Sequence, residues 1–153
     1  GDTYISAIGQ GNILTTPLQL NQMIDILASR GKLCRPHLVK LKTECKKLDI
    51  SEKTINLVIE GLKQVTETGG TAWPFFDFKV KEKRIYVAGK TGTAEFGQQE
   101  DKAKIKTHAL FIGFAPADKP EISVTVLLEG AGEGSYQAAP VAKELLTYWF
   151  ERQ

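Results

Sequence analysis

Apolar residues recur at helical spacing early in the chain, where Leu20, Met23, Ile24 and Leu27 form a stripe behind Thr16-Pro17-Leu18-Gln19. Thr16 is a capping hydroxyl, Pro17 suits the first helical position and Gln19 completes a capping box, so a helix starts there. Gly31 stops it. The stripe predicts Met23 as a core residue. A second helix is predicted from Ser51, with Ile55, Val58, Ile59 and Leu62 on its apolar face and Gly69-Gly70 beyond its end. Between the two, Lys32 to Leu41 carries Pro36 and alternating apolar residues, the pattern of a short strand or an extended loop. Thr71-Ala72-Trp73-Pro74-Phe75-Phe76 is aromatic but broken by proline, and reads as an ordered loop packed on a core. Trp73 and Trp149 are expected as core anchors.

The period then shortens to two. Ile85 to Ala94, Lys106 to Phe114 and Ile122 to Leu128 are each strand-like. The middle run is apolar on both faces, with Ala109 and Phe111 on one and Leu110, Ile112 and Phe114 on the other. Such a strand needs cover on both sides, which puts it at the centre of a sheet with helices above and below. The short turn Ala115-Pro116-Ala117-Asp118-Lys119-Pro120 favours an antiparallel hairpin. Ala142, Leu145, Leu146 and Trp149 mark a closing amphipathic helix, introduced by a glycine-rich stretch from Gly130 to Gly134. Helix, helix, three antiparallel strands and helix make an α+β domain, an antiparallel sheet with helices on both faces.

Composition narrows the function. The chain has 153 residues, 42% hydrophobic and 25% charged, which is the profile of a folded globular domain rather than a disordered segment. Twenty Lys and Arg against 18 Asp and Glu leave +2, too little for a dedicated nucleic-acid or membrane surface. The basic cluster Lys40, Lys42, Lys46 and Lys47 is interrupted by Glu44 and reads as a solvated face. No apolar run approaches the ~20 residues of a membrane span. The chain opens on Gly1 and its only methionine is Met23, so it is expected to be cut from something longer. Cys34 and Cys45 fit no metal-binding pattern. Two unrelated thiols is the simpler expectation; a disulfide, which needs an oxidising compartment, is the alternative.

The candidate chemistry lies in Val87-Ala88-Gly89-Lys90-Thr91-Gly92-Thr93-Ala94-Glu95. Strand alternation places Thr91 and Thr93 on one side and Lys90 on the other, so a ligand using all three must lie along the strand's edge. Gly92 has no side chain to obstruct it. An edge strand also offers free N–H and C=O groups to an extended peptide. Gly89-Lys90-Thr91 looks like the end of a phosphate-binding loop, but Arg84 stands where the opening glycine belongs, and a strand replaces the helix that should follow. The other pattern is K-T-G, a motif of penicillin-binding proteins and class A β-lactamases.

Context supports the second. Gly9-Gln10-Gly11 followed by Thr15-Thr16-Pro17-Leu18-Gln19-Leu20, then Gly69-Gly70-Thr71-Ala72, Lys90 to Glu95, His108 to Pro116 and Asp118-Lys119-Pro120-Glu121-Ile122 resembles the class B penicillin-binding proteins, in the same order. The likeness covers essentially the whole chain and is closest to the cell-elongation branch, penicillin-binding protein 2. It implies the C-terminal part, residues 1–153, of a transpeptidase domain with a partial β-lactamase-like fold. It further implies a serine D,D-transpeptidase that cross-links peptidoglycan stem peptides ending in D-Ala-D-Ala and is acylated by β-lactams, with no cofactor and no metal. Carried over, Lys90 and Thr93 are the catalytic residues here, and Lys90, Thr91, Gly92 and Thr93 bind substrate. Lys90 supplies positive charge, Thr91 and Thr93 hydrogen-bond the terminal carboxylate, and the Thr93 N–H is one oxyanion donor. The family implies an N-terminal anchor in the cell (inner) membrane, a periplasmic or extracytoplasmic catalytic domain, and a peptidoglycan glycosyltransferase and the elongation machinery as partners.

The family's S-x-x-K and S-x-N motifs belong upstream of Gly9 and are not present in register. Ser29-Arg30-Gly31-Lys32 fits the first as text but sits where a helix ends. The chain is therefore expected to supply one wall of a site and not its nucleophile, and to be inactive alone. A catalytically silent penicillin-recognising relative, or a purely structural piece, are the alternatives. His108 lies inside a strand with no carboxylate partner evident and reads as structural, His37 as surface, and Glu95 as a solvated carboxylate.

Overall fold

The computed structural model describes residues 1–11, 13–40, 42–96 and 106–153. Helix α1 (Asp2–Ala7) precedes α2 (Pro17–Ala28), which opens as its sequence requires. The Thr16 side chain accepts from the Gln19 N–H, and the Gln19 side chain accepts from the Thr16 N–H at 2.8 Å. Arg30 and Gly31, both at positive φ, reverse the chain into β1 (Lys32–Cys34), which pairs antiparallel with β2 (Cys45–Lys47). Helix α3 (Glu52–Thr66) is capped by Ser51, whose hydroxyl accepts from the Thr54 N–H. A 3-10 turn (Trp73–Phe75) and the small hairpin of β3 (Lys79–Val80) with β4 (Lys83–Arg84) follow. The main sheet has order β5-β6-β7, built from β5 (Ala88–Phe96), β6 (Lys106–Ala115) and β7 (Ile122–Leu128), all antiparallel. Helix α4 (Ala138–Glu151) closes the fold.

The sheet is covered on both faces, and its central strand explains why. Ala109 and Phe111 of β6 face α4 and the aromatic loop, in a core with Phe75, Val124, Val126 and Leu146. Phe114 and the half-buried Ile112 face the other way, onto Ile24 of α2 and Ile55 and Ile59 of α3. Phe111 is fully buried and stacks on Phe75 with ring centroids 5.0 Å apart. Asn21 ties α2 to β7 by accepting from Thr125 Oγ1 at 3.0 Å and donating to Ser123 Oγ at 3.2 Å.

Four expectations are corrected. Met23 is 47% exposed, because α2 reaches the sheet along the line of Ile24, Leu27 and Ala28, and Met23 lies at the rim of that contact. Trp73 and Trp149 are also exposed, at 48% and 40%. The 3-10 turn inserts Pro74 and Phe75 instead, leaving Trp73 to meet Tyr136 at the surface, 6.0 Å between centroids. Helix α4 buries Ala138, Ala139, Ala142 and Leu146, whose alanines allow close approach to the sheet, so Leu145 and Trp149 fall to one side. Cys34 and Cys45 are opposite each other in the β1–β2 ladder and form a disulfide, not two separate thiols. Ile85 to Val87 is irregular chain, and regular pairing begins only at Ala88.

Candidate active site

Among the described residues, strand β5 is an edge of its sheet. Its partner β6 takes one side of the ladder, and in an antiparallel pair the N–H and C=O of one residue point the same way. The Thr93 carbonyl accepts from Gln10 Nε2 at 2.8 Å and the Thr91 carbonyl from Lys90 Nζ at 2.6 Å, so both residues direct their peptide groups away from β6. The Thr93 N–H shares that outward direction. Lys90 is exposed, its ammonium resting on the open margin beside Thr91. One lysine, one outward N–H and one hydroxyl are thus presented together at Lys90 and Thr93.

The two threonine hydroxyls differ. Thr93 is exposed, and its Oγ1 accepts from the Gly134 N–H at 3.4 Å. Thr91 is buried, with its Oγ1 2.7 Å from Thr71 Oγ1. Thr71 reaches that place because Gly70 folds tightly back on α3: a Cβ there would lie 2.3 Å from the carbonyl oxygens of Gln64 and Val65. The Ala72 N–H then donates to the Val65 carbonyl at 2.9 Å. Thr66 fixes the same junction, donating to the Val87 carbonyl at 2.6 Å, just where β5 begins. Sequence reasoning included Thr71 in a motif but missed it as a neighbour of the K-T-G strand; the signal was the Gly69-Gly70 pair immediately before it.

Gly92 packs its Cα over Leu110, whose Cβ would lie 3.1 Å from an added methyl. Gly134 is tighter still. A Cβ there would meet the Leu110 carbonyl at 2.3 Å and the Gly92 carbonyl at 2.4 Å, so the glycine-rich loop sits directly on the K-T-G backbone. Ser29 takes no part: its hydroxyl donates to the Lys32 carbonyl at 2.9 Å and accepts from the Lys32 N–H, capping the end of α2. His108 is half-buried, stacked on Phe96 with centroids 4.0 Å apart, and accepts from the Gly130 N–H. Glu95 is exposed and His37 bonds only locally, to Arg35 and Thr43. Among the described residues no group of three or more His, Cys, Asp or Glu could hold a metal ion.

Residues 2–147 match the model of the penicillin-binding protein transpeptidase domain. The chain belongs to that family. Its similarity to the Haemophilus influenzae peptidoglycan D,D-transpeptidase MrdA is 32% identity across the whole chain and 26% of the relative. With the Acinetobacter baumannii MrdA it is 32% over 97% of the chain and 24% of the relative. The chain therefore spans about a quarter of the length of these curated relatives. Among solved transpeptidases, it resembles Pseudomonas aeruginosa PBP2 in complex with WCK 5153 at 35% identity and TM-score 0.75, covering 97% of this chain and 32% of that one. The PBP2 of the Helicobacter pylori PBP2–MreC complex matches at 30% identity and TM-score 0.81, over 99% of this chain and 28% of that one. The α+β architecture with an antiparallel sheet, expected from the strand pattern, is the one observed, and it matches the penicillin-binding transpeptidase fold that the resemblance implied.

Proposed function

We propose that this chain is the C-terminal portion of a peptidoglycan D,D-transpeptidase domain and forms the K-T-G wall of its active site. The observation that carries the reading is the outward-facing peptide group of Thr93 on the free edge of β5, with Lys90 beside it. In this reading a serine from sequence beyond these residues attacks the penultimate D-Ala carbonyl of a stem peptide. The oxyanion that forms is held by the Thr93 N–H and by a second donor at the serine. Preorganised donors of this kind contribute ~3–4 kcal/mol each to the transition state. The C–N bond then breaks, the terminal D-Ala leaves with a proton on its amine, and an acyl-enzyme remains. An amine from a second stem peptide attacks that ester, completing the cross-link and returning the serine. A β-lactam enters by the same attack but keeps its leaving amine tethered.

Lys90 supplies the positive charge for the substrate's terminal carboxylate and for proton movement at the serine. Thr93 Oγ1 is the hydroxyl open to that carboxylate, and Thr91 stands behind it through its contact with Thr71. Gly92 leaves the edge clear for the peptide backbone.

The Cys34–Cys45 disulfide supports an oxidising, extracytoplasmic location for the domain, held there by a membrane anchor outside these residues. The elongation machinery and a peptidoglycan glycosyltransferase are the proposed partners, the first by analogy with the Helicobacter pylori relative solved with MreC. In the intact protein, Lys90→Ala is expected to slow acylation by a fluorescent penicillin by about 100-fold with the melting temperature unchanged, the lower end of the usual loss of an electrostatic catalytic group. Near-normal acylation of that variant would remove the assignment.

A further inference from the structure

The loop from Gly130 to Gly134 is pinned to the sheet at three points. The Gly130 N–H donates to His108 Nδ1 at 3.2 Å, the Gly132 N–H to the Thr107 carbonyl at 3.1 Å, and the Gly134 N–H to Thr93 Oγ1 at 3.4 Å. Two of these acceptors cannot change their character near neutral pH. The third can.

A backbone N–H is only a donor, so His108 Nδ1 must be the unprotonated nitrogen and the ring proton must sit on Nε2. The ring is held in that orientation by Phe96, parallel to within 6°. Protonation would place an N–H at Nδ1 facing the Gly130 N–H, turning a hydrogen bond into a donor–donor clash. Gly130 and Gly132 both hold positive φ, so the loop at that contact and just beyond it includes glycines free to move through left-handed conformations. At its far end Gly134 lies against Gly92 and Thr93, too close to both strands for any side chain.

We propose that His108 is a positioning residue of the transpeptidase site. In its neutral form it holds the Gly130–Gly134 loop against the K-T-G strand, and on protonation it releases that loop. It touches neither substrate nor reacting atoms and acts through Gly130, the loop and Thr93. The charged residues that line the same cleft as His108 among the described residues are Lys106 on its own strand and Glu129 just after β7, and neither forms an ion pair with it; Glu95 pairs with Thr107 and lies on the opposite face of the sheet. The proposal rests on the transpeptidase reading for its catalytic consequence, but its structural half does not.

The discriminating variant is His108→Asn, whose side-chain oxygen overlies Nδ1 and keeps an acceptor for Gly130 without titrating. In the intact protein, amide exchange of the loop is measured over a pH series from about 8 to about 5. After correction for intrinsic exchange, protection in the wild type is expected to fall roughly fivefold on acidification, the loss of one ordinary hydrogen bond. His108→Asn is expected to show no such fall. Acylation by a fluorescent penicillin should follow the same split: an acid limb in the wild type that Asn removes and that His108→Leu replaces with a low rate at every pH. Identical acid profiles of wild type and Asn, in both exchange and acylation, would overturn the proposal. Loop exchange that splits as expected in a protein that no penicillin acylates would uphold the His108 contact and instead defeat the transpeptidase reading.

Discussion

At the scale of single residues, the space around Gly134 and Gly89 decides whether the K-T-G strand can exist in its present place. Gly89 lies against the Phe111 ring, where an added Cβ would sit 2.6 Å from Cζ, and 2.9 Å from the Ile112 carbonyl. Gly134 meets two carbonyl oxygens at shorter range still, and neither belongs to a flexible side chain. Gly134→Ala therefore has to lift the loop or part the strands. It is expected to lower stability by about 1–3 kcal/mol, the usual cost of overpacking, and to slow acylation as Thr93 loses its partner. Thermal melting with acylation kinetics checks both, and an unshifted melt would mean that the loop does not rest on the strand. The sequence made the K-T-G residues visible because they are contiguous and carry their own chemistry. It did not reveal the Thr71–Thr91 hydroxyl contact, which joins positions 20 apart and depends on the fold-back at Gly70.

At the scale of elements, local signals were readable wherever one residue type does one job. Thr16 and Gln19 announce a capping box, and both of its hydrogen bonds are present. Thr16→Ala is expected to cost about 1 kcal/mol of unfolding free energy, read by denaturant titration. Gly61 works in the opposite direction. It sits mid-helix in α3 with nothing within 4 Å of an added Cβ, so Gly61→Ala is expected to raise stability by about 0.5–1 kcal/mol in the same titration. The β3–β4 hairpin was not legible. Its two-residue turn, Lys81-Glu82, holds both residues at positive φ, a turn ordinarily signalled by Asn or Gly, and the ladder it closes is only two pairs long. The misjudged Met23, Trp73 and Trp149 share another cause. Periodicity identifies an apolar stripe but not its centre line, and the partner element decides which residues of the stripe are buried.

At the scale of the whole molecule, two structures of different character are joined through α2. The three-stranded sheet with its helices is held by apolar packing on both faces, whereas the β1–β2 pair has a three-residue ladder and the Cys34–Cys45 bond. Closing so short a loop contributes ~3 kcal/mol in the chain-entropy model. Cys34→Ser with Cys45→Ser is expected to loosen that hairpin in amide exchange while leaving the protection of β5 and β6 intact. A loss of protection across the sheet would show that the hairpin is needed by the fold as a whole. That the cysteines pair was not decidable from their spacing, because the pairing follows from the antiparallel register of two strands too short to read from pattern. The sheet order was readable, since β6 is apolar on both faces and can only be central.

The division of labour in the proposed site, with the K-T-G wall here and the nucleophile elsewhere, has a direct measurement. The intact protein is acylated with a β-lactam, digested, and the adduct located by mass spectrometry. The expected adduct is on a serine outside these 153 residues. An adduct on Ser29, or on any other residue of this chain, would contradict the account.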